Sequence, residues 1–242
     1  MKLAYSPKSE LMQEFLRHSQ IAEMSFEPYT FGLHPLAQTA VFIVYELLCQ
    51  LFCPDNFERE LIKVDADGGT LGLDWDEGIP DPEEVPTKPI LLLVPGVAGG
   101  SDNLYQTALI KEVRDQFKIV TLLFRGTDGV PITSGLLCHA GGWADIKVGI
   151  DHVVEKYVKD KETGEKRCRF YAYGCSMGAS MLGLYLLNDA DRAGELLDAA
   201  VLYGTPSDYN KGYDFFMNGY RGWPSWAVTM NLRRLTMSKQ LH

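Results

Sequence analysis

The chain is poor in the features that mark several large protein classes. It has five cysteines in 242 residues and no CxxC pair, so neither a disulfide framework nor a zinc ribbon has support, and free thiols in a reducing compartment are expected. Runs of Lys or Arg are missing as well: 23 basic residues face 32 acidic ones, a formal net charge of −9. Such a surface repels phosphate backbones, which argues against a nucleic-acid partner. There is no long apolar run. The most extended one, residues 36–52, is interrupted by Gln38, Glu46 and Gln50 and sits at the bottom of the length range that crosses hydrocarbon; it reads as a buried or surface-lying helix. The first residues interleave Lys, Glu, Gln, Arg and His with apolar positions and lack the apolar core of a secretory signal. A cytoplasmic protein is expected. Internal repeats and low-complexity segments are absent too.

What is present suits a folded chain that can bury a core without disulfides, with 46% hydrophobic and 23% charged residues. Ser9 can cap a helix running to about residue 24, and Pro35 can open a second through residue 52. Residues 60–64 and 70–75 read as two strands joined by DADGG, whose Asp and Gly accept the backbone of a tight turn. Residues 76–89 hold four prolines and five acids, a solvated loop. The pattern then alternates. ILLLV at 90–94 lacks alternation, as a strand covered on both faces does. A helix marked by Tyr105, Leu109, Val113 and Phe117 follows, then a strand at 119–124. Next come a helix marked by Trp143, Ile146, Ile150, Val153 and Tyr157, a strand at 170–173, a helix at 176–188 and a strand at 199–203. The order implies an α/β fold with a mostly parallel sheet and flanking helices.

Two motifs carry chemistry. Gly174-Cys175-Ser176-Met177-Gly178 lies between a strand and a helix, the context of a nucleophile elbow, in which Ser sits on a strained turn and the flanking glycines let neighbouring backbone pass. The helix beginning at Ser176 aims free N–H groups at the same point. The second motif, Pro95-Gly96-Val97-Ala98-Gly99-Gly100-Ser101, follows ILLLV directly. In hydrolases of this kind such a loop supplies one oxyanion donor and the residue after the nucleophile the other, here Val97 and Met177. The alternative is a plain Gly-rich turn. Phosphate binding is disfavoured because the loop lacks both the GK[ST] ending and the GxGxxG spacing.

HPLAQTA at 34–40, RELIKVDADGGTLGLDW at 59–75, LLLVPGVAGGSDNLY at 91–105, FRGTDGVPIT at 124–133 and YAYGCSMGAS at 171–180 together resemble the AB hydrolase 4 family of α/β-hydrolases, a group of acylglycerol lipases, phospholipases and esterase-like proteins. The resemblance covers about residues 34–206. It implies an α/β-hydrolase fold and a Ser-Asp-His ester hydrolase with Ser176 as nucleophile, Val97 and Met177 at the oxyanion positions and Gly174 and Gly178 as elbow glycines. His34, Arg125 and Asp145 match recurrent family residues with a structural role. The organisation implied is a helical extension over 1–57 and a hydrolase domain over 58–242, with 207–242 the start of a cap. Family members continue through further strands that carry the acid and the histidine, and the expectation is a chain that stops short of them.

No internal substitute for those two residues stands out. His242 is the one histidine after Ser176 and is terminal; Asp208 follows the last strand but suits a turn-initiating Asp. His152 lies on the same predicted helix as Asp145, seven residues on and too far along it to form a dyad. His139 falls in a loop, while His18 and His34 suit packing or capping in the N-terminal helices. Cys175 reads as a small buried hydrophobe, and Cys49 and Cys53 lack the companions of a metal site. No metal or organic cofactor is implied. Seven aromatics between Tyr209 and Trp226 suit a cap that lines an acyl groove, touches a lipid interface or membrane surface, or packs on the core. The leading expectation is a serine carboxylic-ester hydrolase for acyl lipids or short-chain esters. The rival is an inactive scaffold that binds an acyl ligand or a protein; acyl transfer to another alcohol would use the same residues.

Overall fold

The computed structural model describes residues 8–19, 41, 44, 48, 56–97, 99–206, 208–222, 225, 226, 228–230 and 233. The chain divides into two compact units, Met1–Leu47 and Leu48–His242. In the first, α1 (Glu10–His18) begins where the Gln13 amide donates to the Ser9 carbonyl at 3.0 Å. Its expected continuation to residue 24 lies outside the described residues. So does most of the expected 36–52 helix, of which Val41, Val44 and Leu48 are helical and exposed.

The second unit holds a six-stranded sheet in the order β1-β2-β4-β3-β5-β6. β1 (Phe57–Val64) and β2 (Gly69–Asp76) form the expected hairpin, each longer than the sequence pattern indicated because the ladder extends evenly from the turn, Val64 opposite Gly69 out to Phe57 opposite Asp76. β2 pairs antiparallel with β4 (Lys118–Leu123). From there the sheet is parallel, β4 beside β3 (Ile90–Val94), β3 beside β5 (Phe170–Cys175), and β5 beside β6 (Ala199–Tyr203). The parallel connections run through α2 (Leu104–Val113), α3 (Trp143–Val153), and the pair α4 (Met177–Asn188) and α5 (Ala190–Leu196). The helix expected over 143–157 is α-helical only to Val153; a single π turn, Val154–Val158, carries Tyr157 edge-on against Trp75, ring centroids 4.8 Å apart.

The unalternating ILLLV strand is explained by two cores. Leu92 and Val94 join the large cluster of Leu71, Leu73, Trp75, Ile146, Ile150 and Leu182. Leu91 and Leu93 pack on the other side with Ile110, Ile119 and Val113. Successive strand residues face opposite ways, so β3 is apolar on both faces because helices cover both. Each fully buried aliphatic side chain contributes roughly 1.5–3 kcal/mol. β6 differs: Val201, Leu202 and Tyr203 are exposed. It is followed by α6 (Tyr209–Asn218) and a 3-10 turn, Gly219–Gly222. Among the described residues no helix is long and apolar enough to cross a membrane.

Candidate active site

β5 ends at Cys175 and α4 begins at Met177, which leaves Ser176 alone in the bend. Its backbone lies at φ 53°, ψ −117°, a combination that side-chain sterics disfavour for any L-residue. Local contacts hold it there. The Ser176 N–H donates to the Tyr203 carbonyl at 2.9 Å, and the Ser176 carbonyl accepts from the Ser180 N–H at 3.1 Å. Although Ser176 occupies the cap position of α4, its hydroxyl does not cap the helix.

Neighbouring backbone passes close to the glycines on either side. A Cβ on Gly174 would stand 2.7 Å from the Ala179 Cα, and one on Gly178 would run into the Val94 and Pro95 carbonyls. The end of β3 therefore presses against the start of α4. That contact places the Gly-rich loop beside the bend: a Cβ on Gly96 would lie 3.3 Å from the Ser176 Cβ and 3.7 Å from the Tyr105 hydroxyl. The loop is internally tied. Gly99 N–H donates to the Gly96 carbonyl at 3.0 Å, Gly96 N–H to the Tyr105 hydroxyl at 3.1 Å, and Gly100 N–H to the Asn103 side-chain oxygen. Among the described residues the Val97 and Met177 amides find no acceptor within the protein. The site therefore offers one hydroxyl on a strained turn with the Gly-rich loop against it, at the N-terminus of a 12-residue helix whose dipole favours negative charge there. Cys175 is half-buried rather than buried, and burial pushes its thiol up, away from the reactive thiolate.

The other candidates go elsewhere. Asp145 is bidentate with Arg125, Nε to Oδ2 at 2.8 Å and Nη2 to Oδ1 at 2.7 Å, and Asp67 and Ser134 complete that guanidinium's contacts. His152 Nε2 meets Glu60 Oε1 at 2.8 Å. The Glu60 carboxylate also accepts from Lys156 and Tyr157, and although burial pushes it up, those three donors together hold it down at about 2. Neither residue is spare for a dyad. His139 is exposed. Asp208 is exposed and accepts the Lys211 N–H at 3.0 Å at the start of α6, an ordinary capping contact. His34, His242, Cys49 and Cys53 lie outside the described residues, as does the side chain of His18. Of the aromatic cluster, Tyr209, Tyr213 and Trp226 are exposed. Sequence reasoning missed the polar residues behind the loop, Arg59, Asp74, Ser101, Tyr105 and Asp128. Arg59 and Asp74 could have been found by counting outward from the DADGG turn, which sets them opposite one another.

No family model matches the chain. Among curated proteins it is similar to embryogenesis-associated protein EMB8 of Picea glauca, 30% identical over 171 residues, which are 65% of this chain and 35% of that protein. It is also similar to the monoacylglycerol lipase of Saccharomyces cerevisiae, 31% identical over 130 residues, 52% of this chain and 26% of the lipase. The chain spans about a quarter to a third of the length of these relatives. Among solved structures, the esterase Pf2001 of Pyrococcus furiosus has a TM-score of 0.49 and 16% identity, over 73% of this chain and 62% of that one. A mostly parallel sheet and a strained strand-to-helix turn at Ser176 thus accompany a likeness in sequence to a lipase over about half of this chain.

Proposed function

We propose that this chain carries the nucleophile and oxyanion elements of a serine carboxylic-ester hydrolase acting on acyl lipids or short-chain esters. The observation that carries this reading is the positive φ of Ser176 at the junction of β5 and α4, with the Gly96 loop against it. In the proposed reaction Ser176 Oγ attacks the ester carbonyl carbon and passes its proton to a base. The carbonyl electron pair moves onto oxygen, where the Val97 and Met177 N–H groups receive the charge. Collapse then expels the alcohol, which takes up the proton, and water releases the acyl group from Ser176. The helix N-terminus adds to the stabilisation. The acyl character of the substrate is the property shared with the lipase the chain resembles, so acyl glycerides and small esters are the class to try.

The base is unassigned. His152 is bonded to Glu60, so His242 is the histidine of this chain to test. A serine-directed fluorophosphonate should label the chain at one site, and Ser176→Ala should abolish labelling and any hydrolysis of p-nitrophenyl acetate. If His242→Ala also abolishes labelling, the terminal histidine is the base. Labelling that survives Ser176→Ala would overturn the assignment of the nucleophile, and a wild-type chain that neither labels nor hydrolyses would favour the inactive scaffold instead.

A further inference from the structure

A chain of hydrogen-bonded polar groups, buried at Asp74 and Ser101, runs from the edge hairpin to the loop beside Ser176, and the reaction above does not use it. Arg59 on β1 and Asp74 on β2 are directly opposite in register. The guanidinium forks onto the carboxylate, Nε to Oδ1 at 2.6 Å and Nη2 to Oδ2 at 2.8 Å. Asp74 is 3% exposed, and it also accepts the Ser101 hydroxyl at 2.7 Å. Ser101, 1% exposed, is the last residue of the Gly-rich motif. Arg59 continues to the loop after β4 by donating to the Asp128 carbonyl, and the Asp128 carboxylate accepts the Ser101 N–H at 3.4 Å. A Cβ on Gly100 would stand 2.5 Å from that carboxylate, so the loop is pressed against it.

A buried carboxylate is costly and adds little net stability compared with an apolar residue of similar size. Here it secures a location. The loop is held at its start by Tyr105 through Gly96, and at its end by Asp74 through Ser101. Val97 lies between these anchors and is 45% exposed. A donor in an oxyanion site acts only if it is already in place when charge develops. We infer that Ser101 and Asp74, braced by Arg59, are positioning residues that hold the Val97 amide in line with Ser176. This rests on the acyl-transfer reading above.

Ser101→Ala is the direct test. It removes one donor and leaves both Arg59 bonds on Asp74, so no buried carboxylate loses its counter-charge. Amide hydrogen exchange of residues 96–101 should be at least about tenfold faster, with β3 and β5 unchanged. In Ser176-dependent hydrolysis of p-nitrophenyl acetate, kcat should fall about 10- to 100-fold with KM within about twofold, less than the loss of a whole oxyanion donor. Ser101→Thr and Ser101→Val have matched shapes and differ in the hydroxyl. Only Thr should restore loop protection and kcat, which separates the hydrogen bond from any effect of volume. Unchanged loop exchange in both Ala and Val variants would overturn the inference, and so would a loosened loop with unaltered kcat. A wild-type chain without Ser176-dependent hydrolysis would sink the acyl-transfer reading and the catalytic role with it, while the exchange comparison still decides whether Ser101 holds the loop.

Discussion

At Ser176 a residue with a Cβ occupies backbone space that is normally left to glycine, a strain on the order of 1–3 kcal/mol. The surrounding residues hold it by leaving no room to relax: Gly174 and Gly178 pack without side chains against Ala179 and the end of β3. Adding a methyl group at Gly178 forces β3 and α4 apart. Gly178→Ala should therefore destabilise the chain by about 3 kcal/mol, lowering Tm by roughly 6–12 °C in calorimetry. Gly194 is the counter-case. It lies in α5, has no positive φ, and a methyl group there would meet nothing within 4 Å, so Gly194→Ala should raise stability by about 0.5–1 kcal/mol through helix propensity alone. If both substitutions had the same sign, the close approach at Gly178 would not be the cause.

The hairpin is the element that joins the core to the site. Leu71, Leu73 and Trp75 of β2 enter the core, while Asp74 and Asp76, which alternation puts on the opposite face, pair with Arg59 and Arg114. The turn of the hairpin is fastened separately. Arg125, 7% exposed, bridges Asp145 on α3 to Asp67 in the turn, and its guanidinium fills the space that a side chain at Gly69 would need. The hydrogen bonds to Asp145 and Asp67 raise the Arg125 pKa above its ordinary value. Lysine cannot make the planar, forked contact. Arg125→Lys should cost about 2–3 kcal/mol in urea unfolding, with hydrogen exchange of the turn residues 65–68 rising more than that of β3. Equal loss across the sheet would contradict a role in fastening the turn.

Across the whole molecule, acid sensitivity should follow Glu60. Its side chain on β1 is 11% exposed and is met by His152, Lys156 and Tyr157 from the helical segment after β4, with the Trp75 indole N–H at 3.3 Å. The folded-state carboxyl lies at about 2 against an ordinary 4.5, so the carboxylate favours the folded chain. That contribution is complete above about pH 4.5 and is lost as pH falls from there through about 2. Partial exposure of the donors reduces it to about 2 kcal/mol. Glu60→Gln should lower unfolding stability by that amount at pH 7 and pH 5. The gap between variant and wild type should narrow at pH 3.5; a gap that is constant down to that pH would contradict the assignment.

Much of this architecture was legible along the chain because its signals are local. ILLLV marks a doubly covered strand, DADGG a hairpin turn, and glycines two before and two after Ser176 a strained bend, since each depends on residues within a few positions of one another. The hairpin ends, the π turn at Val154–Val158 and the partners of Asp145 and His152 were decided by packing. Arg125 is 20 residues from Asp145, and Glu60 is 92 from His152. Nothing in sequence spacing brings such groups together until the sheet order does. The same holds for the loop beside Ser176. Its glycines could be read directly, but Ser101 reaches Asp74 only because β2 pairs with β4 and so lies one strand away from β3, and a buried hydrogen bond depends on proximity in space, whatever the separation along the chain.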